Sequence, residues 1–173
     1  MRFFLPIVLL LTLAGLGFYA WLGGFRSATA TLQTNTPPVL LAGQYFRGPA
    51  QAAEFGPLFR RAKEVQDAHQ LRGDLANLYF DNPEKAHDTI RAFVGLAVAD
   101  SSQALPGGWR YRVLPTQRRV VVARVAGVGY LLAPDKLYPA IQEFIKDEKL
   151  TQRGFYFERF APHDKAEVWA EVQ

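Results

Sequence analysis

The sequence predicts an α+β fold in which two tandem β-α-β-β units form one pseudo-twofold domain with an antiparallel sheet, preceded by one N-terminal transmembrane helix. Three observations lead to this prediction. Several short segments alternate at period two, two longer segments carry apolar residues at helical spacing, and the order strand, helix, strand, strand occurs twice. The chain has 173 residues, enough to bury a core, and its 49% apolar composition is that of a globular protein.

An apolar segment opens the chain. Residues 3–24 contain no charged side chain, and a helix of this length, rising ~1.5 Å per residue, spans the ~30 Å hydrocarbon core of a bilayer. Tyr19 and Trp21 lie near its end, as interfacial aromatic residues do. A cleaved signal peptide is the alternative, because Ala28-Thr29-Ala30 offers a cleavage site. The length of the run favours a retained single-pass anchor over residues 1–26, with the side of the membrane left open.

The segment after the anchor differs in composition. Residues 27–38 are rich in threonine, alanine and proline and show no periodicity, so we expect a linker between the membrane and the folded domain. The domain then comprises residues 39–173. Its first half covers residues 39–100 and its second half residues 109–173, with a short connection between them.

Each half supplies one helix and a set of strands. In the first half we expect an amphipathic helix over residues 50–71 and strands over residues 39–46, 75–80 and 90–99. In the second half we expect a helix centred on Leu137, Ile141 and Ile145, with Pro139 in its first turn, and strands over residues 109–113, 119–125, 154–160 and 165–172. The two helices cover one face of the sheet, which leaves the other face as a groove, an interface or a solvated surface.

A rigid turn follows the second strand of the first half. Pro83 fixes its own φ and biases Asn82 toward extended geometry, and we expect Asp81 to cap the turn through its side chain. Tyr79 and Phe80 precede it and point to opposite faces of the sheet. The alternative interpretation is that Asp81-Asn82-Pro83 is a structural turn and nothing more.

This turn and its neighbours resemble a known family. LYFDNP, followed by a charged turn and RAFVGLAV, resembles the Asp-Asn-Pro segment of the GyrI-like small-molecule-binding domains, which include a DNA gyrase inhibitor and multidrug-sensing transcription activators. Arg47-Gly48-Pro49 and Phe157-Glu158-Arg159-Phe160 stand where that family has a Gly-Pro turn and a Glu-x-Tyr strand. The resemblance covers residues 39–173.

The apolar N-terminus and residues 138–150 are similar to the membrane-anchored branch of the family, to which a testis-expressed ER-phagy receptor belongs. Two departures limit what the resemblance implies. The chain has no helix-turn-helix region, so transcription activation is not implied. No acidic, serine-rich tail follows Gln173, so the autophagy role of that receptor is not implied either.

Glu158 is the main candidate for ligand binding. It lies in an aromatic strand, and alternation places Tyr156 and Phe160 on its face. A carboxylate among aromatic rings is costly to bury unless it is paired, and it suits a flat lipophilic cation through charge pairing and cation–π contacts. The resemblance implies that the matching glutamate lies in a central groove. A structural salt bridge to Arg110, Arg112 or Arg124 is the alternative.

Three more aromatic residues complete the predicted lining of the groove: Tyr79, Trp109 and Tyr111. We expect no catalytic residue, no metal ligand and no cofactor. Cysteine is absent, the histidines are isolated, and the serines are not in a G-x-S-x-G motif. The net charge of +4 is carried by scattered basic pairs, which argues against a nucleic-acid partner.

The sequence therefore predicts a membrane-tethered protein that binds a lipophilic or cationic small molecule. The first alternative is a membrane-anchored adaptor whose groove or sheet edge holds a protein segment. The second is a hydrolase of reactive small molecules that uses Glu158 as a general base.

Overall fold

The computed structural model describes residues 4–49, 51–83 and 89–173. In chain order the elements are α1 (Phe4–Trp21), β1 (Thr29–Asn35), β2 (Leu40–Gly48), α2 (Phe55–Asp67), β3 (Gly73–Tyr79), β4 (Ile90–Val98), β5 (Arg110–Val113), β6 (Arg118–Ala126), α3 (Pro134–Asp147), β7 (Gln152–Ala161) and β8 (Lys165–Val172). The described strands form one antiparallel sheet in the order β1-β6-β8-β7-β3-β4-β2-β5. The predicted α+β class and antiparallel sheet are confirmed.

Two β-α-β-β units make up the centre of this sheet. The first is β2-α2-β3-β4 and the second is β6-α3-β7-β8. They meet where β3 pairs with β7. The junction of the two halves is therefore a continuous run of backbone hydrogen bonds across the middle of the sheet.

The prediction of a linker is wrong for residues 29–35, which form a strand. The two edge strands of the sheet also pair across the halves of the domain. Residues 29–35 form β1, which pairs with β6 of the second half, whereas β5 of the second half pairs with β2 of the first. The connections that follow the two edge strands meet at Asn35. Its buried amide donates to the Pro115 carbonyl at 2.7 Å and accepts from the Arg118 N–H at 2.8 Å. Composition did not reveal this strand because its alternate side chains are threonine and alanine, with few large apolar residues.

The helices α2 and α3 pack on the same face of the sheet. α2 lies against β2, β3 and β4, and α3 lies against β1, β6 and β8. The buried residues of this layer include Val65 of α2, Leu137 and Ile141 of α3, and Tyr156 of β7. The gap between the helices lies above the central pair of strands, β3 and β7.

The second face of the sheet is buried at its apolar residues, whereas Arg124 and Arg159 on the same face are partly exposed and border a cavity. It forms its own apolar cluster, in which Leu41 of β2 and Val120 and Val122 of β6 belong to one group although their strands lie far apart in the sheet order. The sheet therefore curls. Gly43 and Gly95 face each other where β2 and β4 pair, and a Cβ atom on Gly95 would lie 2.0 Å from the Ala42 carbonyl oxygen. Glycine at both positions permits this close approach of the strands.

The two packed helices differ from their predicted limits. α2 begins at Phe55 and ends at Asp67, so it is shorter than the predicted span of residues 50–71, of which residue 50 lies outside the described residues. α3 begins at Pro134, and Pro139 is therefore inside the helix rather than in its first turn. The helix starts earlier than its apolar periodicity indicated because Pro134 can occupy the first helical position.

The N-terminal helix α1 is apolar along its length and exposes Leu10, Leu11 and Leu13. Its 18 residues correspond to a length of about 27 Å, slightly less than the ~30 Å core of a bilayer. Within the described residues no helix is both long and apolar enough to cross a membrane. The predicted transmembrane span is therefore not supported.

Candidate functional site

The strongest candidate site lies at the junction of the two halves. Glu158 of β7 stands directly opposite Asn77 of β3, and both side chains point to the face that the helices cover. Glu158 is only 5% exposed. A carboxyl group with so little access to solvent requires hydrogen-bond donors around it.

Three side chains supply those donors. Asn77 Nδ2 donates to Glu158 Oε2 at 2.8 Å, Tyr138 of α3 donates through its hydroxyl to Oε1 at 2.7 Å, and Tyr79 also hydrogen-bonds the carboxyl group. Burial raises the pKa of Glu158 above its ordinary value, and the three hydrogen bonds oppose that rise by stabilising the anion. Burial and the nearby carboxylate raise the pKa of Tyr79 and that of Tyr138 well above 10.0, so both phenols remain protonated donors.

Tyr156 forms the next layer of the cluster. Its ring packs against that of Tyr138 with centroids 5.7 Å apart, and its hydroxyl accepts from Asn82 Nδ2 and Gln142 Nε2, each at 3.2 Å. Asn82 is the middle residue of the Asp-Asn-Pro turn. The turn therefore contacts the candidate site through Tyr156, in addition to ending β3.

Asp81 forms an ion pair with Arg91. Its two carboxylate oxygens accept from Arg91 at 2.7 and 2.9 Å, across the start of β4. Asp81 thus forms a bidentate ion pair, and its expected role as a side-chain cap stays a prediction, because the turn continues into residues outside the described part of the chain. The hydrogen bonds from Arg91 lower the pKa of Asp81. The charged turn that follows, residues 84–88, lies outside the described residues.

A groove adjoins the Glu158 cluster. A cavity of about 340 Å³ is lined by Phe59 of α2, Leu75 and Asn77 of β3, Phe160 of β7 and Tyr130 of the β6–α3 loop. A second cavity of about 610 Å³ shares Leu75, Tyr130 and Phe160 and continues toward the end of α2. Asn77 lies at the wall of this groove and is hydrogen-bonded to Glu158, so it connects the groove to the buried carboxyl group.

The structure brings together four of the six predicted ligand-binding residues. Tyr79, Tyr156 and Glu158 meet in the buried cluster, and Phe160 lines the adjoining groove. Trp109 and Tyr111 are not there. Tyr111 lies in β5 and Trp109 directly before it, four strands away from β7 in the sheet order. Tyr111 instead donates its hydroxyl proton to the Gln103 carbonyl.

Sequence reasoning missed four residues of the site: Asn77, Tyr138, Phe59 and Tyr130. Asn77 carried a usable signal, because it is the one amide within the apolar run LANLYF. Tyr138 carried none, since its role depends on how α3 packs against β6 and β8, which brings the Tyr138 hydroxyl to β7. The alternative interpretation of Glu158 as half of a salt bridge is not supported, because Arg124 pairs with Glu167 and Arg112 stacks over Phe80. No group of three or more potential metal ligands occurs among the described residues.

Comparison with known proteins identifies the fold. No protein-family model and no curated sequence matches the chain. Three solved structures are similar: an integron cassette protein from the mobile metagenome of Vibrio cholerae (TM-score 0.63, 12% identity, 86% of this chain and 99% of that chain), the C-terminal domain of EcmrR (0.55, 16%, 86% and 98%) and a putative bacterial transcription regulation protein from Staphylococcus aureus (0.54, 12%, 83% and 97%).

At these identities the likeness concerns the fold alone. None of these structures supports the resemblance to the membrane-anchored branch. EcmrR is also similar within its complex with DNA, where the matched part is 57% of that chain. The eight-stranded antiparallel sheet with its three helices is thus an α+β arrangement shared with the EcmrR C-terminal domain and consistent with the GyrI-like fold that the sequence predicted.

Proposed function

We propose that this chain binds a lipophilic cation or a related amphipathic molecule in the groove beside Glu158. The observation that carries the proposal is the position of that carboxyl group. It lies at the centre of the sheet and accepts hydrogen bonds from donors of both halves. One of these donors, Asn77, also lines the groove that Phe59, Tyr130 and Phe160 form.

Several physical features favour this class of ligand. Aromatic and aliphatic side chains that line a concave site bury the apolar part of a ligand, and a single acidic group selects for positive charge. A cation that reaches Glu158 compensates the burial that raises its pKa. The donors Asn77 and Tyr138 hold the carboxylate in one orientation before the ligand arrives, which reduces the entropy lost on binding.

Isothermal titration of the full chain with tetraphenylphosphonium tests the proposal, with triphenylphosphine oxide as a neutral ligand of similar shape. We expect the cation to bind more tightly than the neutral compound. Glu158→Gln keeps the shape of the side chain but removes its charge, and should weaken cation binding by roughly ten- to a hundredfold, the equivalent of a charge-assisted contact. Binding of the neutral compound should change much less.

Glu167→Gln is the matched control, because Glu167 is also a buried carboxyl group but belongs to the other face of the sheet. It should leave cation binding unchanged. Equal affinity for the cation in the wild type and in Glu158→Gln would refute a ligand role for this carboxylate. Glu158 would then be a structural group, and the groove would be better explained as a docking site for a protein segment.

A hydrolase of reactive small molecules is the second candidate, favoured by the contact between Glu158 and the Tyr138 hydroxyl at 2.7 Å. A raised pKa suits a general base, and a neighbouring phenol is a proton donor. A titration with a hydrolysable compound, p-nitrophenyl acetate, separates the two functions, because a substrate that is consumed gives heat that continues after the binding signal ends. A single saturating signal supports binding alone.

We further infer that the N-terminal helix associates with a membrane. Leu10 and Leu11 of α1 are more than 60% exposed, and a helix that is apolar all round is stable in lipid or against protein. Lys136 Nζ donates to the Gly24 carbonyl at 2.5 Å, which holds the end of α1 near α3. Cleavage after Ala30 would remove Thr29 and Ala30 from β1, which favours retention of the segment over a signal peptide.

Membrane fractionation with a carbonate wash, followed by N-terminal sequencing, tests this association. We expect the chain to stay with the membrane pellet and to keep residues before Thr29. A mature chain that begins at Thr31, or one that the wash releases completely, would overturn it.

A further inference from the structure

Four charged side chains follow one another across neighbouring strands on the face of the sheet opposite the helices. Arg124 of β6 stands opposite Glu167 of β8, which stands opposite Arg159 of β7, and Asp74 lies on the next strand, β3. Arg124 Nε donates to Glu167 Oε2 at 3.1 Å. Arg159 Nη2 forms an ion pair with Glu167 Oε1 at 2.7 Å. We call these four residues the ion row.

A cavity of about 780 Å³ lies over the ion row. Residues 33–40, from the end of β1 to the start of β2, also line this cavity and include Pro37 and Pro38. This volume is within the ~300–1,000 Å³ that small-molecule sites occupy. We call this space the inner cavity. A neighbouring cavity of about 450 Å³ shares Arg124, Arg159 and Glu167 and adds Lys165.

The inner cavity is lined by residues with unsatisfied polar atoms. Among the described residues, four buried side-chain atoms have no hydrogen-bond partner, and three of them, Arg159 Nε, Glu167 Oε1 and Trp169 Nε1, belong to residues lining this cavity. Glu167 Oε1 does have its ion-pair contact with Arg159, at an angle that is not that of a hydrogen bond. Trp169 is 6% exposed, and its indole N–H can only donate. Each of these atoms has almost no solvent-accessible surface, so a ligand in the cavity contacts the more exposed atoms of the same residues.

We propose that the inner cavity binds a small organic monocarboxylate. Arginine binds carboxylate oxygens with two parallel hydrogen bonds, and the side chains of Arg124 and Arg159, which line the cavity, are 49% and 38% exposed. The charge of the cavity fits one negative charge. Among the residues that line it, three cations (Arg72, Arg124 and Arg159) face two carboxyl groups (Asp74 and Glu167), an excess of one positive charge.

The burial of Asp74 also favours a negatively charged ligand. Burial raises the pKa of Asp74 above its ordinary value, so its carboxyl group opposes an anionic ligand less than an exposed aspartate would. The prolines and the aliphatic side chains of Val39 and Leu40 line the same space and provide contacts for the apolar body of the ligand. The site is independent of Glu158, because the two lie on opposite faces of the sheet.

The indole N–H of Trp169 is a reporter within the wall of this site, because Trp169 lines the cavity. Full-length chain labelled with ¹⁵N gives an indole signal from each of its three tryptophans, and Trp169→Phe assigns the one in question. Titration with sodium benzoate should shift the Trp169 signal in a saturable way. Benzamide has the same ring but no charge, and should produce no saturable shift of that signal.

Three substitutions should change the affinity for benzoate in three different ways. Arg159→Gln removes a donor and a charge and should weaken benzoate binding by roughly tenfold or more, as loss of a charge-assisted hydrogen bond does. Glu167→Gln frees both arginines from their competing partner and should strengthen it. Glu158→Gln should leave it unchanged. If Arg159→Gln is poorly folded, Arg124→Gln replaces it, since the Arg124 side chain is 49% exposed.

Two outcomes would overturn the proposal. One is a Trp169 signal that does not move with benzoate, which would mean that the inner cavity holds water only. The other is an equal shift with benzamide or in both arginine variants, which would mean that the ring binds without recognition of the carboxylate.

Discussion

Asn77 and Glu158 stand directly opposite each other on the two central strands, joined by a 2.8 Å hydrogen bond. Each residue belongs to a different β-α-β-β unit, so the bond crosses the junction of the two halves. The helices that cover this face belong to different halves as well, and the gap between them lies above this pair. A polar pair at the middle of an otherwise apolar layer is the feature around which the proposed ligand site is built.

Replacement of Glu158 by glutamine should change the pH dependence of stability. Because burial raises the pKa of Glu158 above 4.5, the folded chain binds a proton there more tightly than the unfolded chain. The free energy of unfolding therefore falls as the pH rises from the unfolded pKa through the folded pKa. Glu158→Gln lacks this loss. Thermal melts between pH 4 and pH 8 should show the variant gaining stability relative to the wild type as the pH increases.

The two curves would instead run parallel if Glu158 titrated equally in the folded and unfolded chains. Asp81→Asn provides a control of opposite sign. The pKa of Asp81 is lowered by Arg91, so the stability that this pair contributes is present above the unfolded pKa and is lost as the pH falls.

Loss of the Asp81–Arg91 ion pair should have a small effect that depends on salt. Both side chains are partly exposed to solvent, where ion pairs are screened and contribute little. Asp81→Ala should lower the melting temperature by no more than ~4 °C in low salt and by less in 1 M salt. Pro83→Ala should lower it less than Asp81→Ala does. A loss from Asp81→Ala that is large and independent of salt would show that the carboxylate has a structural role beyond Arg91.

Asn35→Ala should destabilise the fold strongly. Asn35 is 2% exposed and bonds to backbone groups of the connection that follows β5. The substitution leaves the Pro115 carbonyl and the Arg118 N–H without these partners, at a cost of about 2–4 kcal/mol. We expect the melting temperature to fall by roughly 5–15 °C. Thr31→Ala, on the exposed part of the same strand, should change it by much less, and equal effects would refute the role of Asn35.

Deletion of the segment that was expected to be a linker should also destabilise the domain. Residues 27–173 include β1, whereas residues 39–173 lack it and expose the edge of β6. We expect both fragments to fold without α1, and the shorter one to melt at a lower temperature and to associate through the free edge. Circular dichroism melts and light scattering measure both effects. Identical melting temperatures would mean that β1 contributes nothing to the stability of the sheet.

Gly95→Ala should be among the most harmful single substitutions in the chain. The new Cβ atom would lie 2.0 Å from the Ala42 carbonyl oxygen, and backbone atoms cannot move aside without breaking the β2–β4 pairing. A loss of more than ~3 kcal/mol is expected. Gly107→Ala is the control, because no atom lies within 4 Å of its added Cβ, and its stability should stay within ~0.5 kcal/mol of the wild type. A soluble Gly95→Ala protein of wild-type stability would contradict this account of the curl.

The sequence alone determined most of the local structure. Alternation placed Tyr156, Glu158 and Phe160 on one face, and helical spacing located α2 and α3, because these patterns report which side of an element is apolar. The repeated order of elements predicted two similar units. The Asp-Asn-Pro segment indicated a GyrI-like fold that similar structures support.

Only the tertiary structure decided which strands become neighbours and which polar groups meet. β1 has no distinctive pattern, and its place beside β6 depends on an exchange of edge strands between the halves. Trp109 and Glu158 were assigned to one site because both lie in aromatic strands, yet their strands are separated by the width of one half. Asn77, Tyr138 and Glu158 come from three separate parts of the chain, and hydrogen bonds between distant residues leave no local periodicity. Pairing across the sheet and the packing of α3 against β6 and β8, beside β7, brought them together.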